Sequence, residues 1–189
     1  MDRLQAIREL TAAGQPYEII PSEAWGRQIR VFRQAPPHLR SLYETARSEL
    51  PFLVYGKQRL TFEGVWQQSC QIAQYLVEDC GVVPGDRVAI AMRNYPEWIT
   101  TFMAATSIGA VGVAMNALWQ PEEMAYGLRD SGAKVLFCDE EREARLRKQA
   151  DSFADLEVVL VRSDLRAGRT VKRMEDVLRV TGSSTMPEV

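Results

Sequence analysis

Two stretches of this chain carry the residue types that hold phosphate. Gly109 and Gly112 lie between apolar runs, and glycines beside a strand let backbone approach a dinucleotide pyrophosphate. That chemistry needs GxGxxG after a strand and at the start of a helix. Here the pair stands where a helical pattern runs into a strand-like one, the reverse order. Close packing of strand on helix accounts for it better, and no nicotinamide or flavin role is supported. Thr181-Gly182-Ser183-Ser184-Thr185 has phosphate-loop composition, yet no lysine joins it and no apolar helix pattern follows. Nothing would hold its amides in a nest, so it reads as a linker.

Other reactive side chains point to structure. His38 is the sole histidine; without a Ser, Cys or second His at suggestive spacing it reads as a capping or surface residue. Asp86, Asp130 and Asp139 fall at turn positions, where Asx capping explains them. The charged run Asp139–Arg147 reads as a solvated helix face with i,i+4 pairs. No metal site is expected. Trp98 shares a helical face with Ile99 and Phe102 and reads as core. Trp119 differs: it follows Asn116-Ala117-Leu118 just past a strand's C-terminal end, where open α/β sheets place ligands.

A net charge of −2 gives no reason for a nucleic-acid partner. Of the 23 basic residues only four are Lys, but the arginines are scattered rather than clustered. Three cysteines without CxxC spacing suggest a cytoplasmic protein with free buried thiols, and Met1–Gln5 is charged rather than leader-like. Ile99–Leu118 runs 20 residues without a formal charge. Its threonines and glycines, and the change of period near Gly109, fit a buried helix entering a buried strand, not a membrane span.

These residues are positioned by a regular alternation of elements. Residues 2–13 predict a helix ending at Gly14, and 15–37, with four prolines, predict irregular chain. Leu39–Ala46 predicts a helix. Phe52–Tyr55 and Gln58–Leu60 flank Gly56-Lys57 as a hairpin. Thr61 should cap a long helix to Cys80, followed by a strand over 87–92 and a helix capped by Asn94. Strands over 110–115, 134–138 and 157–161 alternate with helices over 121–131 and 140–150; a further helix is expected over 173–180. That order implies an α/β fold, a mostly parallel sheet flanked by helices, with a small N-terminal β-hairpin. The expected division is a lead segment (1–41), an α/β subdomain (42–165) and a linker or tail (166–189).

Several ordered motifs now become specific. Leu60-Thr61-Phe62-Glu63, Gly81-Val82-Val83-Pro84-Gly85-Asp86-Arg87-Val88-Ala89-Ile90, Met92–Trp98, Gly109-Ala110-Val111 and Asp130–Leu136 together resemble the opening of the adenylate-forming (AMP-binding) superfamily. The resemblance covers roughly residues 42–165 and is nearest the acyl-CoA synthetases. Where that family often reads Val-Pro-Leu-Asn, this chain has Val113-Ala114-Met115-Asn116, which leaves the acid substrate open.

The resemblance implies a two-step reaction. A fatty or related carboxylic acid attacks ATP, with Mg2+, to give an acyl-adenylate and pyrophosphate, and coenzyme A then displaces AMP. It also implies a lysine-bearing Ser/Thr/Gly-rich phosphate loop and a lid lysine, neither of which occurs between Met1 and Val189. The chain is therefore read as the N-terminal portion of such an enzyme, a scaffold inactive alone, holding no catalytic residue and binding none of these cofactors tightly. Asn116 and Trp119 are expected nearest the acyl or coenzyme A path, and self-association into a homo-oligomer through uncovered apolar surface is allowed. A stand-alone binding module, or an adenylate-forming enzyme with other second-step chemistry, are the rival readings.

Overall fold

A computed structural model describes residues 2–147, 153, 155–164, 171–180 and 185–188. By contacts the chain forms two compact units, Met1–Ser41 and Leu42–Val189.

In the first unit, Asp2 caps helix α1 (Arg3–Leu10) by accepting the Gln5 N–H at 2.8 Å. The helix stops at Leu10 with Thr11 as its C-cap, so Gly14, with φ +78°, lies beyond it. The stretch expected to be irregular contains a hairpin instead, β1 (Ile19–Ala24) paired antiparallel with β2 (Arg27–Phe32). Ile19, Ile20, Ile29 and Val31 supply the β-branched positions. Pro21 is tolerated because β1 has a partner on one side only. Trp25 and Gly26 close the turn with φ +50° and +71°, the pair of positive angles a tight hairpin turn requires.

Helix α2 (Leu39–Thr45) leads to the hairpin β3 (Pro51–Tyr55) and β4 (Gln58–Thr61), turned at Gly56. Thr61 accepts the Gly64 N–H at 3.0 Å and starts α3 (Phe62–Gln74), as expected. The last turn widens into a π-helical segment, Tyr75–Asp79, before Gly81 at φ +60° ends it. Next come β5 (Arg87–Ala91), α4 (Pro96–Ser107), β6 (Val111–Ala114), α5 (Pro121–Ser131), β7 (Val135–Asp139), α6 (Glu140–Arg147), β8 (Glu157–Val161), β9 (Val171–Arg173) and α7 (Met174–Val180).

Five strands form one parallel sheet in the order β6-β5-β7-β8-β9. Alternate side chains enter opposite cores, as the two-residue period demands. Val88, Ile90, Val135, Phe137, Val159 and Val161 pack with α3, α4 and α7 on one face. Ala89, Ala91, Leu136, Cys138, Val158 and Leu160 pack with α5 and α6 on the other. Met186, in the stretch read as a tail, is buried in the first core. Residues 148–150, 165–170 and 181–184, including most of the linker-like Thr181–Thr185 run, lie outside the described residues.

The segment Ile99–Leu118 divides into α4 and β6, and among the described residues no helix is long and apolar enough to cross a membrane. Gly112 lets β6 approach α4: a Cβ there would meet the Phe102 ring at 3.0 Å. The expected cap Asn94 is displaced by one residue, because Tyr95 is the N-cap and Pro96 opens α4 without a side-chain cap.

The segment Pro84–Arg87 knots the N-terminal edge of the sheet. Gly85 takes φ +88°, and Asp86 accepts the Val83 N–H at 3.0 Å and the Lys134 ammonium at 3.2 Å. Arg87 donates to Ser131 O at 2.7 Å and Gly132 O at 2.8 Å, capping the C-terminal end of α5. The Val83 amide, and then Lys134, hold the Asp86 carboxyl below its usual range. Its contribution is therefore present above the unfolded value of about 3.9 and is lost as pH falls through the lower folded value. Asp86→Ala should cost about 1 kcal/mol at neutral pH. In urea unfolding, its deficit against wild type should close as pH falls below the ordinary carboxylate range.

Candidate active-site crevice

Open parallel sheets bind ligands beyond their strand C-termini, where successive connections part to opposite faces. Here that place lies between β5 and β6. The chain leaving β5 enters α4 on one face, and the chain leaving β6 enters α5 on the other. The crevice so formed has a volume of about 450 Å³ and is lined by Tyr55, Arg93, Asn94, Tyr95, Ala117 and Leu118. Arg93 and Asn94 are exposed. The Arg93 backbone N–H is tied down, while its guanidinium engages no other described residue.

The loop after β6 is held from beneath by α6. Arg142 is 1% exposed and donates from Nε to Ala117 O at 2.8 Å and from Nη2 to the same oxygen. Its Nη1 reaches both Asp139 oxygens, at 3.2 and 3.1 Å, and Glu141 Oε2 at 2.8 Å. Arg145 adds donations to Ala117 O at 3.1 Å and Trp119 O at 2.8 Å. Asp139 in turn caps α6 through the Arg142 N–H at 3.1 Å and accepts the Arg93 N–H at 3.2 Å. One buried carboxylate–guanidinium pair thus fixes the ends of β5, β6 and β7 together.

This corrects one expectation. The run Asp139–Arg147 does contain i,i+4 pairs, Glu141–Arg145 and Glu143–Arg147, but Asp139 and Arg142 are buried and are not part of a solvated face. The spacing Asp139-x-x-Arg142 offered the only clue, and the five other charges of the run hid it. Arg93 and Tyr95 stood out only as part of the Met92–Trp98 motif and Tyr55 not at all, since each becomes a lining residue only when the hairpin, α4 and the sheet meet.

Of the residues expected near a ligand, Asn116 is exposed in the loop after β6, its Oδ1 accepting the Leu118 N–H at 2.9 Å. The Trp119 ring is half-buried in the second core beside Met115, over Gly127 of α5. Asp86 lies at the opposite edge of the sheet, and Asp130 sits within α5 rather than at a turn. His38 caps α2, accepting the Ser41 N–H at 3.1 Å, as expected of a structural histidine. Trp98 stacks on Phe102 at 5.3 Å between centroids and packs against the first core.

The thiols are free, Cys70 and Cys138 buried and Cys80 half-buried. Burial pushes the Cys138 thiol well up and that of Cys80 up to about 11, so neither is poised as a nucleophile. Among the described residues no three His, Cys, Asp or Glu side chains gather as a metal site. The arrangement suits binding rather than bond-making: a cationic side chain, an exposed amide and two aromatic rings around an open crevice.

Comparison with known proteins finds relatives for the part of the chain that carries this crevice. A family model described as AMP-binding enzyme matches residues 43–187. A 2-succinylbenzoate–CoA ligase of Bacillus velezensis is 32% identical over 116 residues, 56% of this chain and 24% of the relative. A long-chain-fatty-acid–CoA ligase of Escherichia coli is 30% identical over 115 residues, 61% of this chain and 20% of the relative. The chain thus spans about a quarter or less of the curated relatives it matches. Among solved structures, an anthranilate CoA ligase in complex with anthranoyl-AMP superposes with TM-score 0.74 at 24% identity, over 80% of this chain and 29% of the other. A Brucella canis acyl-CoA synthetase aligns with all of this chain and 32% of its own, at TM-score 0.69 and 19% identity.

Arg142→Ala leaves the Asp139 carboxylate buried and unpaired, a change that costs about 3–5 kcal/mol; urea unfolding should show a loss of that size. Gly127→Ala sets two effects against each other. Alanine in a helix gains up to about 1 kcal/mol over glycine, but its Cβ would lie 2.7 Å from the Trp119 ring. The clash should win, with a net loss of about 1–2 kcal/mol and a shift in Trp119 emission.

Proposed function

The chain belongs to the AMP-binding enzyme family, and from that premise we propose that it is the N-terminal α/β layer of an ATP-dependent carboxylic acid–CoA ligase. The single observation that carries the proposal is the family match over residues 43–187, which takes in every strand of the parallel sheet. In the reaction a carboxylate and ATP give an acyl-adenylate and pyrophosphate, and the thiol of coenzyme A then takes the acyl group and releases AMP. Relatives named for aromatic acids and for fatty acids match at similar identity, so the substrate class proposed is a carboxylic acid without a choice between them.

The role we assign to these residues is to bind and to shape. Coenzyme A and ATP supply thiol and phosphate chemistry when bound, and the crevice fits a phosphate-bearing group. Its Arg93 guanidinium engages no other described residue and offers the planar two-donor geometry that phosphate oxygens accept. Asn116 and Trp119 are proposed to lie nearest the acyl or coenzyme A path, Asn116 at the surface and Trp119 as the packed base of its loop. No residue here is assigned to magnesium, to the lysine-bearing phosphate loop or to acid–base work, and the chain acts as scaffold. We propose that it works in the cytoplasm.

The test is carboxylate-dependent ATP–pyrophosphate exchange followed by thioester formation with coenzyme A. The product of the complete reading frame is expected to catalyse both, and residues 1–189 alone neither. Turnover above background by the pure 189-residue chain would remove the scaffold reading. Exchange without thioester would point to other second-step chemistry. Absence of both in the complete product, across fatty and benzoic acids, would favour a binding module.

A further inference from the structure

Two described residues other than glycine have positive φ, Trp25 and Arg162. The hairpin turn explains Trp25. Arg162 follows β8 directly at φ +52°, and such strain in a residue with a Cβ persists only where its surroundings over-determine it. Its surroundings are unusual. The guanidinium lies over two rings, 4.7 Å from the centroid of Tyr55 and 5.1 Å from that of Tyr95. Nε donates to Glu97 Oε2 at 3.0 Å, and Nη2 to Gln58 Oε1 at 2.9 Å.

We propose that Arg162 is a positioning residue for the crevice: acting through Tyr55 and Tyr95, it holds the two-ring wall that separates the crevice from a neighbouring cavity, and so limits what each can accept. This rests on the reading of the crevice as a ligand site. The neighbouring cavity has a volume of about 210 Å³ and is largely apolar, with Leu53, Trp98 and Ile99 in its lining. It shares Tyr55, Asn94 and Tyr95 with the crevice, so these three form the partition. The two rings meet edge to face, 5.8 Å apart at 87°.

The partition needs an external tie. Among the described residues β3 and β4 pair only with each other and share no hydrogen-bond ladder with the five-stranded sheet. The orientation of Tyr55 against Tyr95 therefore depends on side chains. Arg162 is anchored on the sheet, and Gln58 stands opposite Tyr55 in the hairpin register. Glu97 lies in the first turn of α4, next to Tyr95. A planar guanidinium can stack on rings while its edge donates in two directions; an ammonium supplies charge but not that geometry. A partly exposed ion pair alone would contribute little, so the defining prediction concerns ring position rather than stability.

Arg162→Lys and Arg162→Gly in this chain test the idea. Both should abolish the mutual ring-current shifts of Tyr55 and Tyr95 in NMR spectra. Amide exchange over residues 51–61 should speed by about tenfold, with β5 and β7 changed by less than about twofold. Glycine relieves the backbone strain, so contacts without consequence would leave its protection equal to or above wild type. Unmoved rings, or protection lost evenly across β5 and β7, would overturn the proposal. Should Arg162→Gly fail to fold, Gln58→Leu removes one tie and leaves the Arg162 backbone intact. It must move the same rings, and rings that stay in place sink the proposal.

Coenzyme A is the ligand probe. Wild type should shift the Asn94 and Leu118 amides on titration, with affinity about fivefold weaker in Arg162→Lys. Equal affinities would overturn the positioning role. No shift in wild type would overturn the reading of the crevice as a site for this phosphate-bearing ligand, and the ring test alone would then decide Arg162.

Discussion

The mouth of this sheet depends on one buried ion pair. Asp139 ends β7, and Arg142 sits in the first turn of α6 with 1% of its side chain exposed. Burying a guanidinium and a carboxylate is unfavourable unless every donor and acceptor is used. Here that demand organises the site. The spare valences of the pair go to the Arg93 amide after β5 and to Ala117 O after β6, so three strand ends that are far apart in sequence are set at fixed distances. The crevice between β5 and β6 has its shape because the pair beneath it cannot be left half satisfied.

The opposite edge of the sheet is knotted by a second set of polar groups. Arg87 caps α5 through Ser131 O and Gly132 O, and Lys134 reaches back to Gly81 O and Asp86. Two motifs that stand out in the sequence, Gly85-Asp86-Arg87 and Ser131-Gly132-Ala133-Lys134, are therefore halves of one structure. Their job is to join β5 to α5 and β7, which explains why both carry turn glycines and charged ends. These two family motifs mark the edge away from the crevice, whereas a third, Met92–Trp98, supplies Arg93, Asn94 and Tyr95 to its lining.

Distance along the chain explains what was legible. Thr61, Gly81, Gly85 and Gly132 act within a few residues of their own position, through a cap or a positive φ, and short-range pattern is enough to place them. The β5, β7 and β8 runs were readable because strands buried on both faces are apolar throughout. The hairpin β1–β2 was missed because Pro16 and Pro21 suggested irregular chain, while its turn uses Trp25, a residue with no turn preference. Arg142 looked like its neighbours Arg145 and Arg147. Tyr55 and Arg162 carried no signal, and Tyr95 only its place in the Met92–Trp98 motif, since the contacts that give them a role span up to 104 positions in sequence.

From the Thr61 cap to β8, the order of elements and the two-faced strands follow from the amino-acid sequence alone, because each rests on local conformational preference or on a period of two or 3.6 residues. Which arginine is buried, which loop it holds and which rings wall the crevice were settled by folding. Those outcomes depend on desolvation, and desolvation is a property of a place in the packed molecule rather than of a residue in the chain. Arg142 and Arg147 have the same chemistry; only the position of β6 makes one of them a hinge pin and leaves the other in water.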